Sequence, residues 1–377
     1  MTLRANTERQ VSAMHSTKAP ASRARWWLVT RKYPRAPGGM ERQSFELTTR
    51  LARRQPTTVV AIKPNQSLPM FFAVVALRIV VGCLKGDVLL LHLGDGVLAP
   101  LALIARLFRV PTIVTLHGLD VVHDTAPYRA WRRTLPWRAD HYVCVSEATR
   151  AAAVARGIPA QRTTVIPNGV DVEYTAVPAR ERKSECLLFI GRLVRRKGLA
   201  WFVRAVLPPL VVNRPALQLV VIGDGPEREN VMRAAREAGV EAHLRMLGAV
   251  GDTEKIEWLA LASACVLPNI QVDGDIEGFG LVALEAASVG CPVFAAAIEG
   301  LREAVVDGVT GTLVPAQDAT AWIAAIGACL DDPAVCRRAG ATARSHVQRH
   351  FGWDGVVDAY EVLFTRFSGN PWRTADA

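Results

Sequence analysis

No Cys-x-x-Cys pair and no clustered Cys/His set occurs in these 377 residues. The seven cysteines, at 83, 144, 186, 265, 291, 329 and 336, are scattered and odd in number. Five of them lie in apolar surroundings, which argues for a reducing compartment and against a disulfide frame or a zinc site. A Gly-x-Ser-x-Gly elbow, a His-Glu-x-x-His pair, a Walker A loop and the kinase signature set are all missing. Serine-hydrolase, zincin and P-loop chemistry therefore have no sequence support. Long hydrophobic runs are also missing. The most membrane-like stretch, Leu68–Leu84, is 17 residues, opens on Leu-Pro and carries Arg78 in its middle. It reads as a buried or interfacial helix rather than a span. The first 22 residues are rich in Arg, Ser, Ala and Thr without an apolar centre, so they make no secretory signal.

Acidic residues are in deficit, 35 against 45 Lys plus Arg, for a formal charge of +10. Such an excess suits nucleic acid, an anionic membrane or a phosphorylated substrate. The deficit is local. Residues 1–175 hold 24 Lys and Arg against 11 Asp and Glu, net +13, whereas residues 176–377 hold 21 against 24, net −3. At 50% hydrophobic and 21% charged residues the composition is that of a globular protein, and the length suits two domains.

Short apolar runs alternate with helical patterns along the chain. Trp26–Thr30, Thr57–Ile62, Asp87–Leu93, Thr112–Leu116, His141–Val145 and Thr164–Ile166 read as strands of a first unit. The polar run Val172–Glu185 reads as a linker. The pattern then restarts with Cys186–Ile190, Leu217–Ile222, His243–Leu247, Ala264–Leu267, Pro292–Ala296 and Gly311–Val314. Strands apolar on both faces, alternating with helices, predict an α/β fold of two doubly wound parallel sheets. Their ligand cleft should lie at the carboxyl edges of the strands.

Several strand-end segments carry chemistry. In Ile276-Glu277-Gly278-Phe279-Gly280-Leu281-Val282-Ala283-Leu284-Glu285, two glutamates stand eight apart across a Gly-rich loop and a helix start. The glycines permit close backbone approach and the helix N-terminus attracts an anion. Gly191-Arg192-Leu193-Val194-Arg195-Arg196-Lys197-Gly198 follows a strand and opens a helix, so Arg192 and Lys197 can converge on a diphosphate. Arg195 and Arg196 read as a solvated face, and Asp273-Gly274-Asp275 as a solvated acidic turn rather than a metal pair. Pro37-Gly38-Gly39-Met40-Glu41-Arg42 is a second Gly-rich loop entering a helix, and His117-Gly118-Leu119-Asp120, Ser146-Glu147, Pro167-Asn168-Gly169-Val170-Asp171 and Gly223-Asp224-Gly225-Pro226 follow strands. Tyr128–Arg138 mixes arginines with Trp131 and Trp137, a composition suited to an anionic membrane surface.

Together, and in this order, these motifs and Asp307-Gly308-Val309-Thr310-Gly311 resemble the retaining, GT-B-fold glycosyltransferases of family 4, over about residues 25–365. The resemblance implies two Rossmann-like domains facing across a cleft. Residues 1–24, a basic stretch extra to the resemblance, read as a disordered leader or a misassigned start, while 25–175 would be the acceptor domain and 176–355 the nucleotide-sugar domain. Residues 356–377 would be a helix crossing back to the first domain, plus a tail. It further implies Glu285 on the donor ribose, Arg192 and Lys197 on the diphosphate, and Glu277 with the backbone of Gly278, Phe279 and Gly280 on the sugar hydroxyls. Leu281 would offer its N–H to a phosphate, Gly39 would bring backbone to the diphosphate, His117 would stand near the transferred sugar, and Gly225 would border the base.

On that resemblance the expected reaction moves a hexose from GDP-mannose or a UDP-hexose to a lipid-linked or saccharide acceptor, in surface polysaccharide synthesis. No metal or other cofactor is expected, nor nucleic acid. The expected location is cytoplasmic, peripheral at the inner face of the membrane through the basic N-terminal half. The competing classes are a GT-B epimerase or phosphorylase and a basic nucleic-acid-binding protein. The last lacks a zinc finger, an RNP pattern or a Lys/Arg-dense tail.

Overall fold

The computed structural model describes residues 24–33, 39–63, 65–122, 138–171 and 185–369. The leader up to residue 23, most of the linker and all of Tyr128–Arg138 except Arg138 lie outside the described residues. Strands β1 Arg25–Thr30, β2 Thr57–Ala61, β3 Val88–Leu93, β4 Thr112–Leu116, β5 His141–Cys144 and β6 Thr163–Val165 form one sheet, in the order β2-β1-β3-β4-β5-β6. A second sheet joins β7 Cys186–Ile190, β8 Gln218–Ile222, β9 Leu244–Gly248, β10 Ala264–Leu267, β11 Val293–Ala296 and β12 Thr312–Val314, in the order β12-β11-β10-β7-β8-β9. Both sheets are parallel throughout. Parallel strands covered on both faces must be apolar on both, and Leu187, Leu188 and Phe189 in β7 have no exposed surface.

The helices of the first unit are α1 Gly39–Arg54, α2 Leu68–Leu84, α3 Leu101–Leu107, α4 Leu119–Val122 and α5 Glu147–Ala155. Those of the second are α6 Leu199–Ala205, α7 Leu207–Asn213, α8 Arg228–Glu237, α9 Asp252–Leu261, α10 Leu281–Ser288, α11 Leu301–Ala304, α12 Ala319–Asp331, α13 Pro333–His350 and α14 Trp353–Ser368. Helix α14 returns to the first sheet. Its Trp353, Val357, Tyr360 and Phe364 pack with Leu47 and Leu51 of α1 over Trp26, Leu28 and Leu90. The Tyr360 hydroxyl lies 3.1 Å from Thr115 Oγ1. The opposite face of that sheet is covered by α2 and α3, through Phe71, Val75, Ile79, Leu101 and Ala105.

Two features depart from the sequence reading. Cys329 and Cys336 form a disulfide, against the expectation of unpaired thiols, while the other five cysteines are free. The chain turns by 101° between α12 and α13, which brings these two Cα atoms within 5.4 Å. Helix α13 was not anticipated. Pro333 occupies its first turn, where a missing N–H costs nothing, and the Asp332 carboxylate accepts from the N–H groups of Ala334 and Val335 at 3.0 Å. Among the described residues, no single helix is long and apolar enough to cross a membrane.

Candidate functional site

In the second sheet the strand order reverses between β7 and β10, and the loops after those two strands meet there. A β-carbon on Gly198 would fall 1.9 Å from the Pro268 carbonyl oxygen, and its φ is +65°. Only glycine fits, and the close approach carries Lys197 down to Glu277. Both side chains are buried, with the ammonium bonded to the carboxylate. Glu277 also accepts from Asn269 Nδ2 at 2.8 Å and lies 3.8 Å from the Arg196 guanidinium. Burial would raise the Glu277 pKa, but the Lys197 and Arg196 cations overrule it and hold the carboxyl at about 2. Burial also pulls the Lys197 ammonium below its ordinary value, an effect the carboxylate opposes. The Arg192 side chain, in the same loop, is exposed and has no hydrogen-bond or ion-pair partner among the described residues, while its carbonyl accepts from the Val194 N–H at 2.9 Å.

The Glu277–Gly280 loop then enters α10. Gly280 has φ +82°, and a β-carbon there would meet Leu301 at 2.5 Å. No side chain caps α10, so the Leu281 N–H opens on the loop, while that of Ala283 donates to the Gly280 carbonyl at 2.9 Å. Glu285, buried on the second turn, pairs with Lys255 at 2.9 Å and, from the other unit, with Arg42 at 3.6 Å. The Gly223–Pro226 turn rests on the Arg192 loop. Leu193 N–H donates to the Asp224 carbonyl at 2.9 Å, and a β-carbon on Gly225 would fall 2.4 Å from the Leu193 oxygen.

The first unit closes over this surface. Gly39 begins α1, and a β-carbon there would lie 2.9 Å from Leu281 Cδ1. His117 ends β4. Its N–H donates to Asp120 Oδ1 at 2.8 Å and its Nε2 lies 2.9 Å from the Gly94 carbonyl. A carbonyl only accepts, so the proton sits on Nε2. A β-carbon on Gly278 would fall 2.2 Å from the His117 oxygen, and one on Gly118 would fall 3.0 Å from Gly278 Cα. Glu303 also bridges the units, accepting from the N–H groups of Glu147 and Ala148 at 2.6 and 2.9 Å at the start of α5.

Gly39, His117, Lys197, Glu277, Gly278, Gly280 and Leu281 thus face one another across the cleft. Glu285 follows along α10, Arg192 and Gly225 lie on the adjoining loops, and Phe279 points inward as a buried core residue. Arg196 is not the solvated cation its charge run suggested. It pairs with Asp275 at 3.1 Å and donates to the Ile276 carbonyl at 3.3 Å. Asp275 is thereby engaged and Asp273 is exposed. Among the described residues no group of three or more His, Cys, Asp or Glu could hold a metal ion. Sequence reasoning also missed Asn269, Lys255 and Glu299, whose carboxylate accepts from the Glu277 N–H at 2.6 Å, and gave Arg42 no role beyond its place in the Gly-rich loop. Only Asn269 left a signal, as a polar residue just past the end of β10.

Residues 184–332 match the family model described as glycosyl transferases group 1, and residues 55–174 match glycosyltransferase family 4. A glycogen synthase of Mycobacterium tuberculosis is 31% identical over 285 residues, which span 72% of this chain and 67% of that one. The GDP-mannose-dependent alpha-(1-6)-phosphatidylinositol monomannoside mannosyltransferase of Mycolicibacterium smegmatis is 32% identical over 275 residues, spanning 68% and 72%. The fold is shared with the Anabaena HepE protein solved in complex with UDP, at a TM-score of 0.71, 18% identity and coverage of 91% and 100%. It is shared also with a sucrose-phosphate synthase from Thermosynechococcus elongatus, at 0.72, 22% identity and coverage of 92% and 100%.

Proposed function

The chain belongs to the group 1, family 4 glycosyltransferases, and on that premise we propose that it moves a hexose from a nucleoside-diphosphate sugar to a lipid-linked or saccharide acceptor, with retention of anomeric configuration. One observation carries the reading. Arg192, the buried Lys197–Glu277 pair and the uncapped start of α10 are gathered at the β7/β10 switch point, under the His117–Gly118 loop.

Breaking the sugar C1–O bond builds positive charge on the sugar and negative charge on the departing diphosphate. Arg192, Lys197 and the Leu281 N–H meet that negative charge, and each such preorganised contact is worth about 2–4 kcal/mol in the transition state. Gly39 lets the first unit's backbone approach the same diphosphate. Glu285 accepts from the ribose hydroxyls, Gly225 borders the base, and Glu277 with the Gly278–Gly280 backbone receives the sugar hydroxyls beside His117. With these cations in place a divalent ion is dispensable.

Retention follows when the acceptor attacks the face the phosphate leaves, with that phosphate taking the acceptor proton. A covalent route asks for a free carboxylate about 5 Å across the sugar from the acid. Glu277 is committed to Lys197 and Asn269, which favours the direct route. The mannosyltransferase relative, named for a phosphatidylinositol monomannoside, supports a lipid-linked acceptor, and the glycogen synthase supports a saccharide. We place the reaction at the cytoplasmic face of the membrane, in surface polysaccharide synthesis.

A thermal-shift panel of GDP-, UDP- and ADP-sugars tests the donor. A ligand at a hundred times its dissociation constant adds about 2.7 kcal/mol of stability. One base should raise the melting temperature clearly above the others, and an unmoved melt with all three would sink the proposal.

A further inference from the structure

Eight of the fourteen large apolar side chains exposed among the described residues fall on two short helices, α2 and α3. On α2, Met70, Val74, Leu77, Val81 and Leu84 recur at helical spacing along the outward face, while Phe71, Val75 and Ile79 fill the core behind them. A surface helix in water normally turns polar residues outward. This one is apolar on both faces, with Leu77 65% and Leu84 71% exposed. Its neighbour α3 repeats the pattern. Leu103 and Leu107 face outward, Leu107 at 81% exposure, and Leu101, Ala102 and Ala105 face the core. The two helices lie side by side on one face of the first sheet, so their outer stripes join into a single apolar patch.

Exposed cations stand in and around the patch: Arg78 and Lys85 by α2, Arg106 and Arg109 by α3. Neither helix contains an Asp or Glu. We infer that the α2–α3 face docks on an anionic lipid bilayer. The apolar stripe enters the acyl boundary while Arg78, Lys85, Arg106 and Arg109 meet the headgroup phosphates. A second copy of the chain fits the patch poorly, because a two-fold contact would press these like charges against one another. The docking face lies across the sheet from α1 and α14, so lipid contact there leaves the α14 packing undisturbed.

The inference deepens the lipid-linked reading of the acceptor but fails separately from it, since the nucleotide-sugar melt tests the donor site in solution. The full chain is sedimented with vesicles of phosphatidylcholine alone and of phosphatidylcholine with phosphatidylglycerol at about two to one. Binding should favour the anionic vesicles and weaken in high salt. Leu77→Glu and Leu107→Glu should each lower partitioning about tenfold, with melting temperature and nucleotide-sugar shift unchanged. Wild-type protein that binds neither vesicle, or variants that bind as wild type does, would overturn it. So would a dimer in size-exclusion chromatography that Leu77→Glu dissociates while vesicles capture nothing.

Discussion

Replacing Lys197 separates what its buried pair does for folding from what it does for transfer. Lys197 and Glu277 are each 8% exposed and bonded ammonium to carboxylate. Burial alone would raise the Glu277 pKa, yet the neighbouring cations hold it at about 2, against an ordinary 4.5. That difference is worth about 3 kcal/mol. Because the folded value is depressed, this stabilisation is present above pH 4.5 and is lost as pH falls towards 2. Burial lowers the Lys197 pKa, a cost at neutral pH that offsets part of the gain and brings the pair near break-even with an apolar substitute. Lys197→Met leaves the carboxylate with Asn269 and Arg196 alone, and stranding it should cost about 3–5 kcal/mol. The double variant Lys197→Met, Glu277→Gln leaves no stranded charge and should recover most of that loss. Transfer should not recover. Losing about 2–4 kcal/mol of transition-state stabilisation means a roughly 30- to 1000-fold lower kcat in both variants. Urea melts and single-turnover transfer, measured on both, decide the matter. A double variant that regains activity together with stability would make the pair structural only. A single variant as stable as wild type would refute the energetics.

Gly278→Ala should lower stability by about 1–3 kcal/mol and weaken donor binding, because its β-carbon would fall 2.2 Å from the His117 oxygen. Gly355→Ala in α14, with nothing within 4 Å of the new methyl, is the matched control for the same urea melts. Acid should unfold the first unit early. Burial and the neighbouring His117 hold His92 neutral at about 3, and burial with Arg366 holds His141 at about 4, both against 6.5. Their folded values are depressed, so the unfolded chain takes up the extra protons below pH 6.5. Stability then falls towards pH 4 by about 1.4 kcal/mol per histidine per pH unit. His92→Phe should flatten that slope in melts across the range, and an unchanged slope would refute the assignment. Transfer should survive EDTA, whereas a strict need for Mn²⁺ would promote Asp273 and Asp275 to metal ligands.

The strands were legible because a parallel sheet covered on both faces demands apolar residues at every position. Cys186–Ile190 and Ala264–Leu267 could be read to the residue for that reason. Helix α13 was not legible. Only Gly340, Ala343 and Val347 turn its buried side to the core, and Pro333 reads as a break until its place in the first turn is seen. The glycines of the site were legible for a steric reason, since Gly198, Gly278 and Gly280 each stand where a β-carbon would overlap a neighbour. Side-chain partners were another matter. Arg196 and Lys197 reach the Ile276–Glu277 segment 80 residues away, and Lys255 reaches Glu285 across 30. No local spacing encodes those encounters. They depend on which strand ends the sheet order brings together.

These partners change what the charge of the second half means. Its net −3 is no sign of a site indifferent to anions, because the acidic residues are spent in place. Glu277 holds Lys197, Asp275 holds Arg196, and Glu285 holds Lys255 and Arg42. Arg192 is exposed and unpaired among the described residues. At the proposed donor site an arriving diphosphate would therefore meet Arg192 and the α10 N-terminus first. It would draw on Lys197 only by sharing that ammonium with Glu277. On the same proposal the ribose would reach Glu285 by competing with two cations already paired there, one of them from the opposite unit. Donor binding should then loosen the Arg42 contact between the units as it fills the site. Arg42→Gln should consequently raise donor affinity, read as a lower Kd in calorimetry. An unchanged or weaker Kd would show that Arg42 itself helps to hold the donor.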